Sequence, residues 1–337
     1  MEATIKDVAR QAGVSTATVS RVINNTGGVR SDTVKRVMDA VKYVNYVPNI
    51  MARNLKTESS TIIGFVISNI SNTHFTKMAN KIESILREQG LNLIVCNTAD
   101  DPNLELDHLQ RMIAMHADGI ILNTTCKNND WICELSHKIP MVLVDRNITD
   151  PVFLGDFVGS NGYGGVMDLT KHLIEKGHRD IAIITSDLST STGRERLNGF
   201  SAAMRTIGIV VDDYYIYRYD SQHFSEEDGV AGCQYLMGLE KRPTAIVVIN
   251  NEMTIGVYKY LHNNDISVPD DISVVSYGNI NNSDLFRVEP TFATLNPNFI
   301  GEKAANLLLS RIEAPGRGNR EIIFEPLLVV NESTKTL

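Results

Sequence analysis

A short stretch near the N-terminus places small, polar and cationic side chains on one exposed helix face. These side chains are Thr16, Ala17, Thr18, Ser20 and Arg21. Val19, Val22 and Ile23 supply the apolar stripe of the same predicted helix, and Ser15 is a suitable N-cap. An arginine on such a face can donate two hydrogen bonds to guanine O6 and N7, and small side chains can contact a thymine methyl group. The pattern indicates chemistry directed at base edges in a major groove.

A second helix precedes this one and supports it. Its apolar positions recur at helical spacing, and Gly13 then ends it; they are Ile5, Val8, Ala9 and Ala12. Two short helices joined by a glycine-containing turn predict a helix-turn-helix. We expect Thr16, Ala17 and Arg21 to contact bases. The residues expected to hold phosphates are Lys6, Thr18, Ser20 and Asn24. The alternative for Arg21 is a solvated surface cation.

The helix after these two is predicted from Ser31 or Asp32 to about Tyr43. Its expected buried positions are Val34, Val37, Met38 and Val41. Three helices in fewer than fifty residues make a small bundle with limited stability of its own.

Charge is unevenly distributed along the 337 residues. The whole chain has a net charge of −8, but residues 1–56 contain nine cations and four acids and are therefore +5, which leaves −13 for the remainder. A basic N-terminal segment on an acidic body is typical of a nucleic-acid-binding module joined to another domain.

Composition excludes several other classes. The chain is 43% hydrophobic, and no apolar run approaches the roughly 20 residues that span a membrane. The N-terminus has no leader pattern, so we expect a cytoplasmic protein. Its four cysteines show no zinc-ligand spacing, which predicts free thiols and no metal or other cofactor.

Beyond residue 61, apolar runs of strand length alternate with amphipathic segments of helix length. The runs are IIGFVIS, LNLIVCN, GIILNT and MVLVDR, then IAIITS, AIVVIN and ISVVSYG. Continuous apolar strands joined by helices predict parallel sheets that are covered on both faces. Two such sets predict an α/β fold with two doubly wound subdomains and a ligand between them, at the carboxyl ends of the strands.

The segments TIKDVARQAGVSTATVSRVIN and YVPNIMARNLK resemble the lactose-repressor (LacI/GalR) family of bacterial transcription regulators. HLIEKGHRDIAII, RERLNGFSAAM and VPDDISVVSYG extend the resemblance over the whole chain. It implies a helix-turn-helix domain (1–47), a hinge helix and linker (48–60) and a core shaped like a periplasmic sugar-binding protein (61–337). The implied subdomains are 61–160 with 292–317, and 161–291 with 318–337. The final strand, EIIFEPLLVVN, is therefore expected in the second subdomain.

The resemblance also implies roles for single residues. Leu55 matches a leucine that inserts into a central base step from the minor groove, and Lys56 would lie near the phosphates. His74 and Phe75 match groups that border the effector, Arg196 matches an arginine that binds effector oxygens, and Phe224 matches an aromatic wall. Strand ends add the candidates Asn123, Asp145, Arg146 and Asn250. Each polar candidate could instead cap a helix or close a turn.

Three positions depart from the family pattern. The family usually has aspartate where this chain has Ser160, Asn251 and Gly278. We expect the missing aspartate at Gly278 to remove a charge and to leave room for a bulkier or more anionic ligand, and Arg146 and Arg196 would suit a phosphate or carboxylate. A sugar, a sugar phosphate and a sugar acid all remain candidate effectors, and a pocket that no longer binds a small effector is the alternative.

The function expected is a repressor that binds palindromic double-stranded operator DNA as a homodimer under the control of a small, carbohydrate-related effector. Control by a partner protein is the alternative. An enzyme is disfavoured because no GxGxxG or P-loop follows the first strand and no HExxH or GxSxG occurs. A secreted solute-binding protein would have no use for residues 1–56.

Overall fold

The computed structural model describes residues 3–23, 27–46, 60–186, 188–218 and 225–337. The chain divides into two compact units, residues 1–60 and 61–337. Within the described residues no helix is long and apolar enough to cross a membrane.

The first unit is a three-helix bundle whose helices begin and end at local signals. They are α1 (Ile5–Ala12), α2 (Thr16–Ile23) and α3 (Ser31–Tyr43). Thr4 and Asp7 form a capping box before α1, and Gly13 closes it in the left-handed conformation, at φ +65°. The core contains Val8, Ala9, Ala12, Val19, Val37 and Ala40. The burial predicted for Val34 and Met38 is wrong, since they are 36% and 44% exposed, and Ala40 faces the core instead.

The second unit contains two six-stranded sheets. The strands in chain order are β1 (Ile62–Ile67), β2 (Asn92–Asn97), β3 (Gly119–Leu122), β4 (Met141–Val144), β5 (Asp156–Ser160), β6 (Ile181–Thr185), β7 (Ile216–Arg218), β8 (Ala245–Val248), β9 (Ser273–Tyr277), β10 (Thr291–Ala293), β11 (Glu321–Phe324) and β12 (Leu328–Val329). The sheet orders are β11-β5-β4-β3-β1-β2 and β12-β10-β9-β8-β6-β7. Every pairing is parallel except β10 with β12.

Helices cover both sheets. They are α4 (Thr73–Glu88), α5 (Pro102–Ala114), α6 (Asn129–Ser136), α7 (Gly162–Glu175), α8 (Ser191–Arg205), α9 (Glu226–Met237), α10 (Asn251–Asn263) and α11 (Pro297–Glu313). We call the first sheet with α4–α6 and α11 lobe 1, and the second sheet with α7–α10 lobe 2. The central strands β3, β4, β6, β8 and β9 are wholly buried, as their apolar sequences predict.

The final segment does not lie wholly in lobe 2, so that expectation is wrong. Strand β11 pairs in parallel with β5 of lobe 1, and only β12 joins β10 of lobe 2. The last crossing between the lobes therefore falls between Phe324 and Leu328 rather than near Arg317. Pro326 lies in this crossing and cannot donate to a strand ladder, which favours a break there.

Candidate functional site

The helix-turn-helix presents its polar face to solvent. Ser15 caps α2, with its Oγ accepting a hydrogen bond from the Thr18 amide at 3.1 Å. Ser15, Thr16, Ala17 and Arg21 are exposed, and Val19 beneath them is fully buried. Lys6 on α1 is also exposed, while Thr18 and Ser20 are half-buried. The candidate base-contacting groups thus occupy one accessible face of a helix that the bundle core fixes. Asn24, Leu55, Lys56 and Phe224 lie outside the described residues.

A cavity of about 410 Å³ lies between the two lobes. Its lining includes the predicted effector residues other than Phe224, namely His74, Phe75, Asn123, Asp145, Arg146, Arg196 and Asn250. The parallel strands explain this convergence because their carboxyl ends meet at one edge of each sheet. Residues that the sequence does not mark as candidates also line the cavity, among them Asp100, Thr192 and Tyr277.

Arg146 is already paired inside lobe 1. Its two terminal nitrogens contact the Asp100 carboxylate, with Nη2 at 2.7 Å from Oδ2, and Nη1 also donates to the Thr124 carbonyl at 2.9 Å. Burial lowers the pKa of Arg146, but the Asp100 charge and hydrogen bonds outweigh burial and raise it. The positive charge of Arg146 is thus already balanced by Asp100 within lobe 1.

Asp145 has its partner in the same lobe. Its Oδ2 lies 2.8 Å from His74 Nε2, and its backbone is left-handed at φ +59°. Burial raises the pKa of Asp145, but the neighbouring His74 and the more distant charges of Arg196 and Arg146 hold it below its usual value. The carboxylate is thus ionised and faces the cavity.

Arg196 comes from α8 of lobe 2. Its Nη1 donates to the Ile249 carbonyl at 3.0 Å, and its guanidinium lies 4.4 Å from the centre of the Tyr277 ring. The Nε atom is buried and has no hydrogen-bond partner within the part of the chain that the structure describes. A buried donor without a partner is costly in a folded protein, so this atom is positioned for a ligand acceptor.

Two asparagines in the cavity lining differ in their hydrogen bonds. Asn123 donates through Nδ2 to the Val144 carbonyl at 3.1 Å, and its Oδ1 is buried with no partner among the described residues. Asn250 caps α10, with its Oδ1 accepting from the Glu252 and Met253 amides at 2.8 and 3.3 Å. Asn123 thus offers an acceptor to a ligand, whereas the oxygen of Asn250 is used as a helix cap.

The three positions that depart from the family pattern have distinct surroundings. Ser160 Oγ lies 3.1 Å from the Tyr277 hydroxyl, and Asn251 contacts Asn72 across the lobes at 3.3 Å. Gly278 has φ +107°, and a Cβ there would lie 3.1 Å from Leu295 Cδ1. A side chain at Gly278 would adopt a strained backbone conformation, and Leu295 would have to shift by a few tenths of an ångström to admit its Cβ.

Comparison with known proteins identifies the family of both parts of the chain. A family model described as "Bacterial regulatory proteins, lacI family" matches residues 4–49, and one described as "Periplasmic binding protein-like domain" matches residues 170–334. The chain is 34% identical over 99% of its length to the whole of a protein from Histophilus somni strain 2336 named HTH-type transcriptional repressor PurR.

Two solved structures are similar in fold. The lac repressor dimer bound to operator and the anti-inducer ONPF superimposes with a TM-score of 0.85 at 24% identity, covering 99% of this chain and all of that one. A LacI-family regulator from Enterococcus faecium with bound ribose gives 0.72 at 25% identity, covering 82% of this chain and 99% of that one. The chain belongs to the lacI family of bacterial regulatory proteins and is a DNA-binding transcriptional repressor rather than an enzyme.

Proposed function

We propose that this repressor binds a palindromic operator as a homodimer and is controlled by a small uncharged polar effector in the cavity between its lobes. The observation that carries the choice of effector is the internal pairing of the cavity's charges. Arg146 is neutralised by Asp100, and Asp145 faces both His74 and Arg196. A phosphate or carboxylate entering this cavity would meet the carboxylates of four lining residues, namely Asp100, Asp145, Glu227 and Asp228. Of the lining guanidinium groups, only that of Arg196 forms no ion pair among the described residues, so an anion would lose more by desolvation and repulsion than it gains.

The polar atoms left over suit an uncharged ligand. Arg196 Nε requires an acceptor and Asn123 Oδ1 requires a donor, and both are buried. Phe75 and Tyr277 add aromatic surface to the lining. A sugar or a nucleobase offers acceptors and donors together with a face that can pack on a ring. The ribose bound by the Enterococcus faecium regulator is a ligand of this class. These features favour an uncharged ligand over the sugar phosphates and sugar acids considered from the sequence.

A ligand screen by thermal unfolding tests this proposal. We expect uncharged sugars or nucleobases to raise the Tm of the protein, and the matching phosphates and acids to have no effect, because stabilisation follows RT ln(1 + [L]/Kd). Arg196→Met should weaken binding of the active ligand roughly 10- to 150-fold, since a hydrogen bond to a charged group contributes about 1.5–3 kcal/mol. Arg205→Met, in the exposed last turn of the same helix, is the matched control. Stabilisation by anionic ligands alone would refute the uncharged class.

The homodimer has a candidate surface on lobe 2. A groove of about 790 Å³ is lined by Ile255, Tyr258, Phe286 and Val288, and the neighbouring Leu285 is 79% exposed. The Tyr258 and Phe286 rings lie 5.2 Å apart and form one apolar wall. Two copies joined here would give the two-fold pair of recognition helices that a palindrome requires.

Ile255→Glu should convert the dimer to a monomer because it buries a charge in that groove, and light scattering after gel filtration will show the mass. Val210→Glu is the matched control, since Val210 is 85% exposed and lies outside the groove. A dimer that persists in Ile255→Glu would place the interface elsewhere.

Selection of bound DNA from a random pool, with and without the active ligand, will give the operator and the sign of regulation.

A further inference from the structure

Two buried asparagines join the lobes directly. Asn72 precedes α4 of lobe 1 and Asn251 is the first residue of α10 in lobe 2; each is 5% exposed. Asn72 Nδ2 donates to Asn251 Oδ1, and Asn251 Nδ2 donates to Asn72 Oδ1, both at 3.3 Å. Such a reciprocal pair needs an amide on both sides, because a carboxylate at either position would face an oxygen with an oxygen.

We propose that Asn72 and Asn251 form a carboxamide latch that stabilises the closed arrangement of the lobes through the protein's own side chains. Both residues line the cavity, so the latch closes over the space that a ligand would occupy. The pair contributes only where the lobes meet. In an open arrangement Asn72 Oδ1 would keep its hydrogen bond from the His74 amide and Asn251 Nδ2 its hydrogen bond to Glu252 Oε1 at 3.1 Å, while the other amide atoms of the pair would return to water. The latch therefore sets the ratio of closed to open molecules before any ligand contributes, and a ligand that binds the closed form gains apparent affinity from it.

The amides can be changed without breaking the helices that hold them. Asn72 Oδ1 also accepts from the His74 amide at 2.9 Å as the N-cap of α4, and aspartate serves equally well as an N-cap. Asn251 lies in the first turn of α10, where a negative charge is favourable. Asn72→Asp and Asn251→Asp thus remove one donor each and place an anion against an oxygen, while the helix termini keep their acceptors.

A second contact between the lobes supplies an independent reporter. The Asn147 amide of lobe 1 donates to Ser191 Oγ of lobe 2 at 3.0 Å. Exchange of this amide with deuterium requires the lobes to separate, so its rate measures opening at a site that neither variant touches.

The experiment is hydrogen–deuterium exchange on the full chain, without DNA or any candidate effector. We expect the Asn147 amide to exchange roughly tenfold faster in Asn72→Asp and in Asn251→Asp, since a net hydrogen bond contributes up to about a factor of ten. Asn103→Asp is the matched control, an exposed amide-to-acid change in the first turn of α5 that should leave the rate unchanged. Amides of the central strand β4 should keep their rates in all variants, which separates lobe opening from global unfolding. An unchanged rate at Asn147 in both variants would overturn the latch.

Discussion

Replacing Asp156 with alanine is expected to lower the free energy of unfolding of the core by about 3–5 kcal/mol, the usual cost of leaving a buried charge without its partner. Asp156 at the start of β5 is completely buried and accepts hydrogen bonds from Arg311 Nε and Nη2 at 3.0 and 2.8 Å. Arg317 Nη1 and the Arg320 amide donate to the same carboxylate at 2.9 and 2.8 Å. One carboxylate thus joins β5, α11 and the segment before β11. Its removal leaves the guanidinium groups of Arg311 and Arg317 without their carboxylate partner.

Urea unfolding of the variant will measure this loss, and Asp180→Ala is the matched control. Asp180 pairs with Lys241 at the surface, where Lys241 is 65% exposed and Asp180 34%. Surface pairs of this kind contribute at most about 1 kcal/mol, so the control should remain close to the unchanged protein. Equal losses in the two variants would mean that the buried cluster contributes no more than a surface pair.

Acid titration gives a second readout for Asp156. Burial raises the pKa of this carboxyl, but hydrogen bonds from Arg311, Arg317 and the Arg320 amide lower it below its ordinary value of 3.8. A carboxyl with a lowered folded-state pKa contributes stability that is present above its unfolded pKa and is lost as the pH falls through the folded value. The difference in stability between the unchanged protein and Asp156→Ala should therefore be constant near neutral pH and shrink below about pH 4.

The sequence predicts the strands with a continuous apolar run well and the strands without such a run poorly. Runs such as IIGFVIS and ISVVSYG are long and β-branched because both of their faces are covered, which makes β1 and β9 conspicuous. Strand β5, DFVGS, contains a charge and a glycine and lacks that pattern. The feature that distinguishes β5 is the pairing of its Asp156 with Arg311, and Arg311 lies 155 residues away in the chain. Periodicity contains no information at that separation, nor does it show which sheet β11 joins.

The cavity, too, is predicted from the sequence only in part. The positions of Asn123, Asp145 and Arg146 follow from the rule that parallel strands end at one edge of the sheet. Which partner each side chain binds does not follow from that rule. Arg146 pairs with Asp100, which follows β2 in a left-handed turn at φ +56°. Nothing in the spacing of the two residues, 46 positions apart, indicates that they meet. The location of a site is thus predictable from topology, whereas its charge depends on tertiary pairing.

Arg21→Ala should reduce affinity for the selected operator about 5- to 150-fold, which corresponds to the roughly 1–3 kcal/mol of discrimination given by a bidentate arginine–guanine contact. Arg21 is exposed on α2 and lies outside the bundle core of the first unit, so the variant should remain folded. Losing a base contact should also relax the preference for guanine at one operator position in each half-site. Losing a phosphate contact would instead weaken binding to every sequence alike. It would also lower the slope of log K against log salt concentration by about one.

Fluorescence anisotropy with operator and random duplexes at several salt concentrations separates these two roles. Arg10→Ala is the matched control, because Arg10 is a cation on α1 whose side chain is 82% exposed. Its Nη1 lies 3.5 Å from Asp7 Oδ1. This variant removes the same charge from the same domain and should change operator and random binding by similar small factors. An Arg21→Ala variant that loses affinity equally for both duplexes would make Arg21 a phosphate contact. Base recognition by this helix would then depend on Thr16 and Ala17, the other exposed positions at its start.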